Sequence, residues 1–206
     1  MPKLKLTYFD IHGGRAEPAR LALYLGGVAF EDDRISFQEF GAKRASYPFK
    51  RVPLLRIDDV ELSQCNSINR YVGKLAGLYP SDLLQAAYCD EAMDAVEDII
   101  SQQVVTMSIK DEAEKKAARE ALADGPITLY LQRLQATLEA RGGEYFADGR
   151  LTVADLKVMV WVRSLRSGIL DYVPADLPDK LAPKLVDHLD RVLEHPKVAE
   201  YYARFS

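Results

Sequence analysis

The spacing of apolar residues changes character near residue 80, and this change restricts the chain to two halves of different construction. Before that point, short β-branched and aromatic runs alternate with stretches of helical periodicity. After the turn-rich sequence from Gly77 to Pro80, only long helical periods follow. We therefore predict an α/β domain over residues 1–80 and an all-helical domain over residues 81–206.

The first half is predicted to run in the order β-α-β-α-β-β-α. Gly26 and Gly27 are expected to end the first helix, and Asp58-Asp59 is typical of a hairpin turn. In chain order the predicted elements are a strand at residues 4–9, a helix at 16–25, a strand at 28–35, a loop with a single helical turn at 36–51, strands at 52–57 and 61–62, and a helix at 66–75.

The second half is predicted to contain helices only. Asp124-Gly125-Pro126 interrupts a long helical period, so we expect a break or kink there. Thr152 is expected to cap a helix whose Asp155 reaches back to the cap amide, a variant of the capping box. The helices are predicted at residues 82–107, at 110–140 with that break, from 152 onward, at 179–193 and at 196–204.

The composition excludes several classes of function. The net charge of −4 offers no basic surplus for nucleic acid or for an anionic membrane surface. The chain has no apolar run of the roughly 18 residues that span a bilayer, and its start does not resemble a secretory signal. Cys65 and Cys89 lack the spacing of a metal site or a redox pair, so we expect no metal, no disulfide and a cytoplasmic protein.

Several short strings occur at recognisable spacings. They are YF at residues 8–9, GRAEPARLAL at 14–23, VP at 52–53, QCNSINRY at 64–71 and LTVADL at 151–156. Together they resemble the cytosolic glutathione S-transferases of the tyrosine type, and they are most similar to the sigma class. The resemblance covers the whole chain, and it implies a thioredoxin-like first domain that binds glutathione.

Tyr8 is the candidate for activating the glutathione thiol. A thiol with a pKa of about 8.5 is only a few per cent ionised at neutral pH. Lowering that pKa by about two units requires roughly 2.7 kcal/mol of preferential thiolate stabilisation. A phenol at the end of the first strand can supply much of it by donating a hydrogen bond to the sulfur. The alternative is that Tyr8 is an ordinary strand aromatic in the core.

The beginning of the chain narrows the choice of catalytic residue. No serine or cysteine precedes Ser36, so serine-type and cysteine-type relatives and a glutaredoxin-like mechanism are poor matches. Arg15, at the start of the first helix, is the second catalytic candidate, because its charge would raise the positive potential near the sulfur. A solvated arginine at a helix start is the alternative reading of Arg15.

The resemblance also implies residues that bind the rest of glutathione. Arg44 and Arg51 would bind the glycyl carboxylate, and Phe40 stands where the family often has tryptophan. The main chain of Val52, before a cis Pro53, would pair with the cysteinyl backbone like an added strand. A solvated basic loop and a trans proline at an edge strand are the competing interpretations.

Three further residues are assigned by the same resemblance. Gln64 and Cys65 open a helix whose amides would bind the γ-glutamyl carboxylate, and Cys65 replaces the serine usual in the family. Its thiol is either reactive at this position or an inert buried group. Asp98 would reach across a homodimer to the γ-glutamyl amine, whereas taken alone it is a solvated helix residue.

The expected reaction joins glutathione, as co-substrate and without a further cofactor, to small hydrophobic electrophiles in detoxification. Met107, Trp161 and Leu165 are candidates for lining the electrophile pocket, although a helical core stripe is the plainer interpretation. A glutathione-dependent isomerase, a peroxidase and a non-catalytic, crystallin-like carrier are the alternatives, and the sequence does not separate them.

Overall fold

A four-stranded mixed sheet forms the centre of the first half in the computed structural model, which describes residues 2–204. The strand order is β2-β1-β3-β4, with β1 parallel to β2 and antiparallel to β3, and β3 antiparallel to β4. The strands are β1 (Leu4–Phe9), β2 (Glu31–Ile35), β3 (Leu54–Ile57) and β4 (Val60–Ser63). The hairpin turns at Asp58-Asp59, as predicted.

Three helices complete the predicted β-α-β-α-β-β-α order, which is confirmed. They are α1 (Glu17–Leu25), α2 (Phe37–Lys43) and α3 (Cys65–Leu75). Helix α1 ends at Gly26, as predicted, and packs on α3. A Cβ atom on Gly26 would lie 2.5 Å from the Cβ of Ala76, so only glycine permits this close approach of the two helix ends.

Two local predictions in this half are wrong. The second strand begins at Glu31 rather than residue 28, because the Val28 N–H bonds to the Leu23 carbonyl and ties Val28 to the end of α1. The predicted loop contains the seven-residue helix α2, because Ser36 and Glu39 form a capping box. The Glu39 amide donates to Ser36 Oγ at 3.1 Å, and the Ser36 amide donates to the Glu39 carboxylate at 2.7 Å.

The second compact unit runs from Pro80 to His195 and is helical. Its helices are α4 (Leu83–Thr106), α5 (Glu112–Leu122), α6 (Thr128–Ala140), α7 (Val153–Arg166), α8 (Leu177–Leu181) and α9 (Pro183–Glu194). The predicted break around Pro126 is confirmed as a π-helical segment, Ala123–Ile127, between α5 and α6. Among residues 2–204, no helix is both long and apolar enough to cross a bilayer.

The end of the chain differs from the prediction in two ways. The single helix predicted at 179–193 is two helices, because Pro183 has no N–H and forces Ala182 out of helical geometry, to φ −145° and ψ 58°. The final helix, α10 (Pro196–Ala203), belongs to the same compact unit as the sheet and packs on α1. The Tyr24 hydroxyl donates to the Glu200 carboxylate there, at 2.7 Å.

The predicted capping box at the start of α7 is confirmed, and its carboxylate is a fully buried hub. Asp155 accepts from the Thr152 amide at 2.7 Å, the Thr152 hydroxyl at 2.7 Å and the Phe146 amide at 2.9 Å. His188 Nε2 lies 3.0 Å from the same carboxylate. A buried charge is tolerated only when it is satisfied in this way, so Asp155 fixes the start of α7.

We predict that Asp155→Ala lowers the free energy of unfolding of the helical unit by about 3–5 kcal/mol, because it leaves several buried donors without an acceptor. Asp187→Ala, which removes an exposed carboxylate that lies 3.0 Å from the Lys184 ammonium, is the matched control. Its cost is expected to stay below about 0.5 kcal/mol. Urea titration followed by circular dichroism measures both; equal costs would contradict the role of Asp155.

Candidate active site

The alternation of β1 places Tyr8 on the buried face of the sheet. Leu4, Leu6 and Tyr8 share that face and are 2%, 0% and 6% exposed. Phe9, the last residue of the strand, is only half-buried. The Tyr8 side chain is therefore held by the strand, and only its hydroxyl end lies near the segment that follows β1.

The segment between β1 and α1 wraps onto the Tyr8 hydroxyl. The Arg15 main-chain N–H donates to the phenol oxygen at 3.1 Å. Gly14 has φ +72°, and a Cβ atom there would lie 2.9 Å from the phenol oxygen. Glycine is required at this position both by its backbone and by the space that the hydroxyl occupies. Because the phenol oxygen accepts the Arg15 amide, its own hydrogen points elsewhere and is available to donate.

Burial raises the pKa of the Tyr8 phenol above its usual value of 10.0. The hydrogen bond from the Arg15 amide and the charges of Arg15 and Arg20 act in the opposite direction, and the Cys65 side chain adds to the rise. A raised pKa favours the protonated form, so Tyr8 is a neutral hydrogen-bond donor at neutral pH. The hydrogen bond from its amide places the Arg15 main chain directly beside the Tyr8 hydroxyl.

The peptide bond between Val52 and Pro53 is cis, as predicted. Both residues are buried and lead directly into β3, which pairs with β1. Register places Leu54 opposite Thr7, the residue before Tyr8. The main chain at Val52 thus approaches the sheet next to the end of the strand that carries Tyr8.

Gln64 and Cys65 form the start of α3. Gln64 is exposed and has φ 73° and ψ 116°, a left-handed conformation that is uncommon outside glycine and concentrates at functional sites. Its carbonyl accepts the Ile68 amide at 3.0 Å. Cys65, the first residue of α3, is 6% exposed. A helix N-terminus carries a partial positive charge, and this property is the reason that the start of α3 is a candidate for binding a carboxylate.

The predicted basic loop lies on the exposed side of α2 and the two short 3₁₀ turns after it. Arg44 and Arg51 are both exposed, and Arg44 Nε donates to the Lys50 carbonyl at 3.3 Å. Phe40 packs edge-on against Phe9, with ring centroids 5.2 Å apart, and stacks on Tyr47 at 5.8 Å. Phe9 in turn contacts the Tyr8 ring at 5.1 Å, which links Phe40 to the site.

Sequence reasoning missed Arg20, a cation with 0% exposure in α1. Its guanidinium carbon lies 5.7 Å from the centre of the Tyr8 ring. The available signal was a charged residue in the middle of the apolar stretch from Ala19 to Leu23.

The remaining candidates belong to the helical unit. Asp98 is exposed on α4, and Met107 is 62% exposed at the end of that helix. Trp161 and Leu165 are buried in α7, and the Trp161 N–H donates to Gln103 Oε1 at 3.4 Å. Trp161 and Leu165 therefore occupy core positions of this unit.

Both halves of the chain match models of a known protein family. The family description "Glutathione S-transferase, N-terminal domain" matches residues 4–74, and "Glutathione S-transferase, C-terminal domain" matches residues 97–204. Glutathione S-transferase 1 of Ascaris suum is 30% identical over 206 residues, covering 98% of this chain and 97% of that protein. Glutathione S-transferase 2 of Manduca sexta is 31% identical over 205 residues, covering 98% and 96%. The solved structure of prostaglandin synthase D of Nilaparvata lugens is 29% identical, with a TM-score of 0.86 and 98% of each chain covered.

We predict that Gly14→Ala displaces the Tyr8 hydroxyl, because the added methyl group would lie 2.9 Å from its oxygen. The displaced phenol loses burial, so its pKa should fall toward its usual value. Gly13→Ala is the control: Gly13 also has a positive φ, +95°, but nothing lies within 4 Å of its added methyl group.

Titration of the Tyr8 Cζ signal in ¹³C-tyrosine-labelled protein measures the effect, with Tyr8→Phe identifying the signal. We expect the pKa of Tyr8 to fall in Gly14→Ala and to stay unchanged in Gly13→Ala. The same titration curve in both glycine variants would contradict the contact between Gly14 and the phenol.

Proposed function

The chain belongs to the glutathione S-transferase family, and from this premise we propose that it conjugates glutathione, through its thiolate, to electrophilic carbon atoms of small hydrophobic compounds, a detoxifying reaction. The observation that carries the proposal is the buried Tyr8 phenol, which stays protonated and whose oxygen is already engaged by the Arg15 amide. Its O–H is free to donate to a sulfur atom.

In the proposed reaction, the thiol of bound glutathione loses its proton to solvent and Tyr8 donates a hydrogen bond to the resulting thiolate. Charge-assisted hydrogen bonds are roughly twice as strong as neutral ones, so the bond favours the ionised sulfur. The thiolate electron pair then forms a bond to carbon, and the leaving group departs with its own pair. Arg15 supports the thiolate by adding positive charge next to Tyr8.

Glutathione itself is proposed to bind through its backbone and its two carboxylates. The main chain of Val52, before the cis Pro53, pairs with the cysteinyl residue. Gln64 and the Cys65 amide at the start of α3 hold the γ-glutamyl carboxylate. The exposed guanidinium groups of Arg44 and Arg51 hold the glycyl carboxylate, and Phe40 provides an apolar wall without the donor of a tryptophan.

Cys65 makes the glutathione site different from the pattern usual in the family. A thiol is a weaker hydrogen-bond donor than the serine hydroxyl it replaces. Losing a hydrogen bond to a charged group costs about 1.5–3 kcal/mol at most. The proposed site therefore relies on main-chain amides at the γ-glutamyl end, and binding there is expected to be looser.

We propose that residues 1–80 bind glutathione and residues 81–206 contribute the electrophile pocket, with the exposed Met107 as the remaining candidate lining residue. The last helix, α10, contributes to the fold of the first unit. The protein is proposed to act in the cytoplasm as a sigma-like homodimer, with glutathione as co-substrate and no further cofactor.

A glutathione-dependent isomerase is the second candidate, and the likeness to prostaglandin synthase D of Nilaparvata lugens supports it. Thiolate formation at Tyr8 is the same in both reactions, so the two functions differ in the compound that meets the sulfur. A panel of aryl halides, hydroperoxides and isomerisable endoperoxides separates them. Glutathione binding without any thiolate absorbance would instead identify a carrier.

We predict that Tyr8→Phe raises the pKa of the bound thiol by about one to two units, because the thiolate loses its donor. Turnover at neutral pH should fall about 10- to 100-fold, while glutathione affinity changes less than about threefold. Tyr24→Phe, which removes another phenol from the same unit, bonded to Glu200 at 2.7 Å, is the control and should leave both unchanged.

The ultraviolet absorbance of the thiolate, titrated against pH in the enzyme–glutathione complex, measures this pKa. A thiol that titrates identically in Tyr8→Phe and in the unaltered protein would refute the assignment.

We predict that Asp98→Asn raises the KM for glutathione about tenfold, because the γ-glutamyl ammonium loses its carboxylate partner. Asp94→Asn, one turn earlier on α4, is the control and should have no such effect.

Mixed dimers test whether Asp98 acts across the dimer. Both pairings are assayed at glutathione concentrations well below the KM, where the loss of Asp98 lowers the rate. A Tyr8→Phe subunit paired with an Asp98→Asn subunit should then keep one intact site and about half the activity. A subunit carrying both substitutions, paired with an unaltered one, should keep no intact site. The reverse pattern would place Asp98 in its own subunit's site, and a monomer in light scattering would exclude the shared site altogether.

A further inference from the structure

Arg20 places a full positive charge inside the first unit, where its side chain is 0% exposed. A buried cation requires carboxylate partners and hydrogen-bond acceptors to offset its loss of hydration. Two carboxylates face it. Nε donates to Asp32 of β2 at 2.9 Å, and Nη1 lies 3.4 Å from the fully buried Glu17 of α1. The guanidinium is thereby fixed to the frame formed by α1 and β2.

The other donors of Arg20 reach the main chain of the segment that joins β1 to α1. Nη1 donates to the Ile11 carbonyl at 3.1 Å, and Nη2 donates to the Phe9 carbonyl at 3.3 Å. This segment continues through Gly14 to Arg15, whose amide donates to the Tyr8 oxygen at 3.1 Å. Arg20 thus bonds to the beginning of this segment, at Phe9 and Ile11, and the end of the segment, at Arg15, bonds to the phenol.

We propose that Arg20 is a positioning residue: it fixes the segment from Phe9 to Gly14 so that the Arg15 amide engages the Tyr8 oxygen and directs the phenol hydrogen toward the thiol. The inference rests on the proposed role of Tyr8 and adds to it a residue that touches neither glutathione nor the electrophile. Only a planar fork with several donors can contact two carboxylates and two carbonyls at once.

The charge of Arg20 also favours hydrogen-bond donation by Tyr8, as its hydrogen bonds to the segment do. Its guanidinium carbon lies 5.7 Å from the centre of the Tyr8 ring, within reach of the ring's electrons. It opposes the rise that burial imposes on the pKa of Tyr8, as Arg15 also does, while the Cys65 side chain acts against them. Lysine at position 20 would keep the charge but would lose the fork.

The test is Arg20→Lys in the full-length protein, with the pKa of the bound glutathione thiol as the readout. The expected result is a rise of about one unit, hence about tenfold less thiolate at neutral pH. The KM for glutathione should change much less than kcat, since the binding groups are untouched. Arg119→Lys is the matched control: Arg119 is 6% exposed and bonds to Thr106 and Asp171 of the helical unit.

Asp32→Asn is the second variant, because it loosens the guanidinium without removing it and Asp32 is 28% exposed in its side chain. It should shift the thiol pKa in the same direction by a smaller amount, which keeps the test decisive where Arg20→Lys does not fold. In the double variant Tyr8→Phe, Arg20→Lys, the thiol pKa should equal that of Tyr8→Phe alone, because Arg20 acts through Tyr8.

Two outcomes would overturn the inference. One is an unchanged thiol pKa in both Arg20→Lys and Asp32→Asn, with only the stability loss that Arg119→Lys also shows. The other is an additive shift in the double variant. These outcomes differ from a failure of the proposed function. In that case the unaltered protein itself would not lower the pKa of the glutathione thiol.

Discussion

The hydrogen bond from the Arg15 amide to the Tyr8 oxygen is the interaction on which the rest of the site depends. A phenol can accept and donate at once, so an occupied oxygen determines where its hydrogen points. The buried position of Tyr8 keeps that hydrogen in place at neutral pH by raising the pKa. Gly14 leaves room for the bond, and β1 fixes the ring from the other end. Without the Arg15 bond, the burial, Gly14 or the strand, the phenol O–H of Tyr8 would no longer have a fixed orientation.

Each compact unit contains a buried polar side chain, Arg20 or Asp155, that bonds main-chain groups from more than one segment as well as other side chains. In the first unit, Arg20 bonds two carbonyls and two carboxylates. In the helical unit, Asp155 binds the amides of Thr152 and Phe146. Desolvation makes such groups costly unless every partner is in place, so each one specifies a single local arrangement of the backbone.

The recognition of glutathione that we propose depends more on the main chain than on side-chain identity. A cis peptide before Pro53, a left-handed Gln64 and the amides of α3 are all backbone features. This explains how the site tolerates Cys65 where serine is usual and Phe40 where tryptophan is usual. In the proposed reaction the sulfur instead depends on a side chain, the phenol of Tyr8.

The sequence by itself determined the element order of the first half, the break at Pro126 and the capping box at Thr152 and Asp155, because each depends on residues within a few positions along the chain. The choice of Tyr8 came from the resemblance to the family, and its catalytic role stays a prediction. It misplaced the start of β2 and missed the length of α2, where a helix end and a capping box compete with local propensity. The contact of the Arg15 amide with Tyr8 and the burial of Arg20 were decided only by the tertiary structure. Both arise where β1, α1 and β2 meet, and a positive charge can be buried only where carboxylates and carbonyls from separate segments converge on it.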